Sequence, residues 1–251
     1  CMERRDEGVI CQPLARTAEV FEHVRRAGVP MVLLGDHPEY AHEFSFVAWD
    51  AGPAAGMAVE HLIETGRQRI GMVSVDYPMR MHRGRETAGR AVLEQAGMAG
   101  NPEWSVTLPA DPSGGSVLKQ AIGRMFTSGH QAPDAFFALN DVLALATLEE
   151  LHARGVRVPD DVAVMGMGDL PVAAYSGISL STMHEPTEEM GRESAELLLD
   201  LIAEPDKGPV QRLISCLELK ARRTTQPALA ASEQTAHRVA CEAQHEANQE
   251  T

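Results

Sequence analysis

Three polar side chains follow predicted strands, and their types would suit the binding of a small polar molecule. Asp36, Asn140 and Asp169 each come after a short apolar run that is typical of a buried strand. An amide both donates and accepts hydrogen bonds, and a carboxylate accepts them, so such groups can bind hydroxyls. In open α/β sheets, ligands bind beyond the carboxyl ends of the strands. These positions are therefore the first candidates for a binding site.

Motifs for catalysis are absent from the sequence. Gly166 and Gly168 lack the third glycine of a dinucleotide-binding loop, and the chain contains neither GxxxxGK[ST] nor GxSxG. The run from His184 to Glu188 does not match HExxH, because Glu188 stands where the second histidine would be. Pro186 in addition falls at a predicted helix start. The sequence therefore predicts no catalytic residue, no metal site and no cofactor.

The unit that positions two of these candidates spans residues 133–175 and is predicted to be strand, helix, strand. Its first strand is a continuous apolar run rich in Phe, as expected for a parallel strand buried on both faces. Asn140 and Asp141 cap the helix, Gly155 ends it, and residues 162–167 form the second strand. Parallel strands need such a crossover, so we expect a right-handed βαβ unit. Strands and helices alternate along the rest of the chain, which predicts a doubly wound α/β architecture.

Composition and charge exclude several classes of protein. At 251 residues and 44% hydrophobic content, the chain can bury one large core or two smaller ones. No apolar run approaches the roughly 20 residues of a membrane span, so no membrane partner is expected. The net charge of −14 opposes nucleic-acid binding by this chain itself. The four cysteines are widely spaced and include no CxxC, which favours reduced thiols in a cytoplasmic protein.

The unit at residues 133–175 also shows a resemblance to a known family. Asn-Asp at a strand end, a helix, R-V-P-D-D-V-A-V-M-G, a polar turn and a proline resemble the effector-binding domain of LacI/GalR-type bacterial transcription repressors. The similarity extends over residues 7–227. It implies a two-lobed, type I periplasmic-binding-protein-like α/β fold, with parallel sheets flanked by helices. It also implies a small-molecule effector, a sugar or sugar derivative, held between the lobes.

The resemblance further implies an incomplete first lobe. The family's DNA-binding headpiece, first βα unit and part of a second would lie upstream of the strand at Gly8. We therefore expect an N-terminally truncated chain that contacts DNA only through a helix-turn-helix outside it. Three connections between the lobes are expected near residues 47–50, 183–186 and 206–211. The expected segments are a partial first lobe (1–48), the second lobe (49–184), a helix returning to the first lobe (185–207), the last strand of the second lobe (208–227) and a disordered or loosely helical tail (228–251).

By the same resemblance, three more residues would contact the ligand. Arg85 lies early in a helix that ends in Ala-Gly and matches the effector-binding arginine of the family, whose planar fork bonds paired hydroxyls or a carboxylate. Trp49 matches an aromatic position in the first connection, where an indole could stack on a sugar or a base. Glu185 falls where the family often has Gln, and could accept hydroxyl protons.

Five of the six candidates have a structural alternative. Arg85 could be a solvated helix residue, like its neighbours Arg83 and Arg90. Asn140 and Asp169 could serve only as a helix cap and a turn cap. Trp49 could pack in the hinge, and Glu185 could simply precede a helix that starts with proline.

Two positions depart from the family pattern. The family usually has two acids after the strand at residues 162–167, and Gly168 stands in place of the first; Gly35 before Asp36 follows the same pattern. Losing one charged hydrogen bond costs about 1.5–3 kcal/mol, or roughly ten- to a hundred-fold in affinity. The pocket would then suit a less hydroxylated ligand than a standard hexose, or would have lost its ligand.

These observations favour the effector-binding domain of a LacI/GalR-type transcriptional regulator that acts as a homodimer. The helix at residues 142–151 and the segment 173–181 are the predicted dimer contacts. A solute-binding protein of a sugar transport system is the first alternative, and it predicts a signal peptide and no dimer. A sugar-active enzyme would require a catalytic pair, and a remnant without function would melt early and broadly.

Overall fold

The computed structural model describes residues 7–12, 18–37, 39–40, 42–77, 80–98, 101–111, 113–127 and 131–226; the predicted tail at residues 228–251 lies outside them. Ten strands and six α-helices occur in these ranges. The strands are β1 (Val9–Cys11), β2 (Met31–Leu34), β3 (Ser45–Trp49), β4 (Ile70–Val75), β5 (Val106–Leu108), β6 (Ala135–Ala138), β7 (Ala163–Gly168), β8 (Ser181–His184), β9 (Gln211–Ile214) and β10 (Leu219–Lys220). The helices are α1 (Ala18–Arg26), α2 (Ala51–Glu64), α3 (Arg80–Gln95), α4 (Gly114–Thr127), α5 (Asp141–His152) and α6 (Thr187–Ala203).

The strands form two sheets. The first has the order β1-β2-β3-β9, and all of its pairs are parallel. The second has the order β10-β8-β7-β6-β4-β5, with β10 antiparallel to β8 and the other pairs parallel. The predicted α/β class is confirmed, and so is the parallel pairing of the two strands in the central βαβ unit, β6 and β7.

One prediction about the strands is wrong. The sequence predicted a single last strand of the second lobe within residues 208–227, but β9 pairs with β3 in the first sheet and only β10 joins the second. Residues 215–218 cross between the sheets, where the Cys216 carbonyl accepts from Trp49 and the Glu218 carbonyl accepts from His184. The third connection therefore lies at residues 215–218, and not at 206–211. An apolar pattern predicts extended backbone but does not reveal a change of partner strand.

The first sheet is covered on both faces, because side chains alternate along a strand. Phe46 and Ala48 of β3 pack with Phe21 of α1, whereas Val47 and Trp49 belong to the main core. Helix α6 packs against β1, β2 and β3. The end of β3 therefore delivers Trp49 to the region between the two sheets.

The second sheet positions the central unit. All four residues of β6 are fully buried between helices, as expected for an inner parallel strand. The side-chain oxygen of Asn140 accepts a hydrogen bond from the Leu143 backbone N–H at 2.8 Å, so the predicted helix cap is confirmed. The carboxyl ends of β6 and β7 therefore lie side by side, followed by Asn140 and Asp169.

The packing at Gly71 leads to a test of the second sheet. A Cβ at this position in β4 would overlap the Trp104 carbonyl oxygen and stand 3.0 Å from the Phe136 ring. Gly71→Ala should therefore lower the free energy of unfolding by about 1–3 kcal/mol in urea denaturation.

Gly191→Ala is the matched control, because Gly191 is exposed in α6 and its Cβ would meet nothing within 4 Å. This change should stabilise the protein by about 0.5–1 kcal/mol. Equal effects of the two substitutions would contradict the described contact between β4 and the Trp104 backbone.

Candidate functional site

A buried arginine connects four segments of the chain. Arg85 of α3 has only 2% of its surface exposed. Its Nη1 donates to the Leu139 carbonyl at 2.9 Å and its Nη2 donates to Glu185 Oε2 at 3.3 Å. Its Cζ lies 5.1 Å from the centroid of the Trp49 ring, a cation–π distance. Its Nε is buried and has no hydrogen-bond partner among the residues that the structure describes. The alternative of a solvated helix residue is therefore excluded for Arg85.

This cluster involves all three connections between the sheets. Trp49 ends β3 in the first connection, and its Nε1 donates to the Cys216 carbonyl of the third at 3.2 Å. Glu185 lies in the second connection, between β8 and α6. Trp49 is 2% exposed and the Glu185 side chain 22% exposed. The interactions of one guanidinium thus depend on the path of every segment that joins the two sheets.

Electrostatics show what Arg85 requires. Burial lowers the pKa of Arg85 below its ordinary value, while the charges of Glu185 and Asp141 act in the opposite direction. A buried charge is costly unless it is paired and hydrogen-bonded. Glu185 supplies that pairing. It therefore does more than precede a helix, which was the structural alternative proposed for it from the sequence.

Asp141 is a residue of this region that the sequence analysis treated only as a capping group. Its carboxylate is fully buried, accepts from the Thr182 hydroxyl at 2.6 Å and accepts from the Leu170 N–H at 2.8 Å. Burial raises the pKa of Asp141, and the bonds from Thr182 and Leu170 partly oppose that shift. Asp141 therefore fixes the turn that follows β7. The sequence feature that could have indicated this role is an acid directly after the N-cap of a strongly apolar helix.

Asp169 is directed toward other partners than Arg85. One carboxylate oxygen accepts from Arg222 Nη2 at 2.6 Å, and the other lies 3.2 Å from His184 Nδ1. Burial would raise the pKa of Asp169, but the hydrogen bond and charge of Arg222, with His184, outweigh it and lower the pKa. The carboxylate thus joins the turn after β7 to the C-terminal segment. The sequence analysis did not single out Arg222.

The backbone explains part of the departure at Gly168. Its φ of 134° lies in the region that L side chains rarely adopt, and its Cβ would stand 3.6 Å from Asp141 Oδ2. An acid at this position would be strained and would meet a second carboxylate. Asp36 is half-buried at the end of β2, and its predicted ligand contact stays a prediction.

A cleft of about 890 Å³ lies beside the second and third connections. His184 and Pro186, which flank Glu185 in the chain, line it together with Cys216. Cys216 and Cys11, the two cysteines within the described ranges, are free thiols. No group of three or more His, Cys, Asp or Glu side chains suited to a metal ion occurs in the described part of the chain.

A family model for the periplasmic binding protein-like domain matches residues 59–225. The chain belongs to this family. Among curated relatives, the HTH-type transcriptional regulator CelR of Thermobifida fusca is 34% identical over 213 residues, 83% of this chain and 60% of that protein. The HTH-type transcriptional repressor PurR of Aliivibrio salmonicida (strain LFI1238) is 28% identical over 203 residues, 80% of this chain and 59% of that protein.

Solved structures give the same result. A transcriptional regulator CelR–cellobiose complex has a TM-score of 0.76 and 31% identity, covering 88% of this chain and 66% of that one. A LacI-family regulator from Sanguibacter keddieii has a TM-score of 0.72 and 30% identity, covering 89% of this chain and 81% of that one. The resemblance to a LacI-type effector domain is confirmed, and these relatives are regulators and not enzymes. The chain spans only about three fifths of the curated relatives' length. None of the described helices is both long and apolar enough to cross a membrane.

The pairing of Asp169 leads to a test of the turn after β7. Asp169→Asn keeps a residue type that tolerates its φ of 55° but removes the charge paired with Arg222. Because the pKa of Asp169 is lower in the folded protein than in the unfolded chain, its stabilisation is complete above the unfolded-state pKa and is lost as the pH falls through the folded-state value.

Urea unfolding should therefore show the variant about 1–2 kcal/mol less stable at pH 7, with a smaller difference at pH 3. Asp206→Asn, which alters an exposed carboxylate, should change stability by less than about 0.5 kcal/mol. A deficit of the same size at both pH values would contradict the ion pair with Arg222.

Proposed function

We propose that this chain is the effector-binding part of a LacI/GalR-type transcriptional regulator. It binds a small sugar-like molecule, a sugar or sugar derivative, between the two sheets. The bound ligand modulates DNA binding by an N-terminal helix-turn-helix outside the chain. The regulator acts as a homodimer in the bacterial cytoplasm. The main support is the cluster of Arg85, Trp49 and Glu185, together with the regulators that resemble the chain.

The side chains of this cluster suit a polyol. An indole offers an apolar face for the C–H groups of a sugar ring, and a guanidinium can bond two neighbouring hydroxyls at once. The Glu185 carboxylate can accept hydrogen bonds from hydroxyls. Asn140 follows Leu139, whose carbonyl accepts a hydrogen bond from Arg85. The solved CelR structure in complex with cellobiose supports a sugar as the ligand class.

The position of Arg85 would couple ligand binding to the orientation of the lobes, and through it to DNA binding. Arg85 and Trp49 are almost fully buried, so a ligand reaches them only if the covering segments move. Those segments are the connections between the sheets, which set the relative orientation of the lobes. A ligand that bonds Arg85 therefore has different affinities for different orientations, as a shift of equilibrium requires.

The dimer contacts proposed from the sequence are supported by exposed apolar side chains. Val142 in the first turn of α5 is 62% exposed, and Tyr175 is 64% exposed. A partly apolar groove lies between α5 and the segment that contains Ile178. Large exposed apolar side chains are candidates for protein–protein contacts.

Ligand binding can be tested with Arg85→Lys, which keeps the charge and loses the planar fork. Isothermal titration calorimetry is carried out with cellobiose and with a panel of neutral mono- and disaccharides. At least one of these sugars should bind to the wild-type chain. Affinity should fall about ten- to a hundred-fold in the variant, the cost of one charged hydrogen bond.

Arg83→Lys is the matched control, because Arg83 lies on the same helix and is exposed. It should bind as the wild type does, and circular dichroism would verify the fold of both variants. Failure of the wild-type chain to bind any sugar of the panel would contradict the proposed effector class.

The dimer can be tested by Tyr175→Glu, which places a charge in the proposed contact. Sedimentation velocity should show a dimer for the wild type and a monomer for the variant. Leu199→Glu alters an equally exposed residue on α6 and should leave the dimer intact. A dimer that persists in Tyr175→Glu would contradict this assignment of the interface.

A further inference from the structure

We infer that Glu185 selects the charge of the ligand: by neutralising the buried Arg85, it makes the site accept neutral molecules and reject carboxylates and phosphates. This inference rests on the proposed function and refines it. The family resemblance suggested Glu185 only as an acceptor of hydroxyl protons. The structure gives it a more specific role.

The first observation is the ion pair itself. Arg85 Nη2 and Glu185 Oε2 are 3.3 Å apart, with 2% and 22% of the side chains exposed. Water screens such a pair weakly, so each charge strongly affects the energy of the other. In the described part of the chain, Glu185 is the carboxylate that forms an ion pair with Arg85.

The second observation is that the other nearby acids have their own partners. Asp169 is paired with Arg222 and His184. Asp141 is held by Thr182 and Leu170. Gly168, which ends β7 beside Asp141, has no side chain that could pair with Arg85. Glu185 is therefore the main compensating charge of Arg85, and Asp141 makes a smaller contribution.

The consequence concerns the ligand. A carboxylate or phosphate would bring a second negative charge to a guanidinium that is already paired, and would have to displace Glu185 or remain beside it. A hydroxyl can accept from the guanidinium and donate to Glu185 without adding charge. Replacing Glu185 by the isosteric Gln leaves Arg85 with a positive charge that an anion can compensate.

The location of Glu185 agrees with this role. Its neighbours in the chain, His184 and Pro186, line the cleft of about 890 Å³, and its carboxylate pairs with Arg85. The lining also includes the acids Glu188, Glu189 and Glu218. Its basic side chains are Arg192 and His184. An anion that enters by this route meets an excess of negative charge.

The experiment compares acetate with acetamide, its neutral isostere, as probes of Arg85. Melting temperatures are measured at pH 7 and constant ionic strength. Acetate replaces chloride, whereas the uncharged acetamide is added to the same buffer. Glu185→Gln should show a saturable rise with acetate, with an apparent Kd at least tenfold lower than that of the wild type. Acetamide should not distinguish the variants.

Two further variants keep the result interpretable. Glu185→Asp retains the charge and should respond to acetate as weakly as the wild type. Glu188→Gln removes a charge from the cleft lining without touching the Arg85 pair, and should also respond weakly. Circular dichroism verifies that Glu185→Gln is folded, and Glu185→Ala offers a second way to expose the arginine charge.

The outcomes separate this inference from the function on which it rests. An equal acetate response in wild type, Glu185→Gln and Glu185→Ala overturns charge selection, even if neutral sugars bind. Absence of sugar binding overturns the proposed function, whatever acetate does. A sugar acid such as cellobionate should bind Glu185→Gln at least tenfold more tightly than the wild type, and binding as tight as that of cellobiose to the wild type would also overturn the inference.

Discussion

The structure between the two sheets depends on the cost of burying one positive charge. A guanidinium removed from water must be paired and hydrogen-bonded, and Arg85 meets this requirement with partners from separate segments. Trp49 covers it from the first connection, Glu185 pairs with it from the second, and Cys216 of the third holds the Trp49 indole. Any change in the path of these connections therefore changes the environment of Arg85.

A second ion pair has a different task. Asp169 and Arg222 join the turn after β7 to the C-terminal segment of the second sheet. Asp141 holds the same turn by accepting a hydrogen bond from the Leu170 N–H. These contacts lie within one lobe, whereas those of Arg85 involve the connections between lobes. The two pairs therefore differ in what they connect: Asp169–Arg222 joins parts of the second sheet, and Glu185–Arg85 joins α3 to a connection between the sheets.

The sequence predicted the order of strands and helices well, because buried parallel strands such as β6 are continuous apolar runs bounded by turn residues. It did not predict the division of the last strand into β9 and β10, because a change of partner leaves no mark on hydrophobic periodicity. Arg85 was found only through the family resemblance, since its position on a helix gives no sign of burial. The pairing of Asp169 with Arg222 joins residues far apart in the chain, and only the fold brings them together.

The central claim is that the ligand binds against Arg85 and Trp49, and the fluorescence of Trp49 tests it most directly. The chain has two tryptophans, so Trp104→Phe leaves Trp49 as the single reporter. Titration of this variant with a sugar that binds by calorimetry should change the Trp49 emission saturably, with the same Kd, and Arg85→Lys should weaken that response. Binding by calorimetry without any change in Trp49 emission would place the ligand elsewhere and contradict the account.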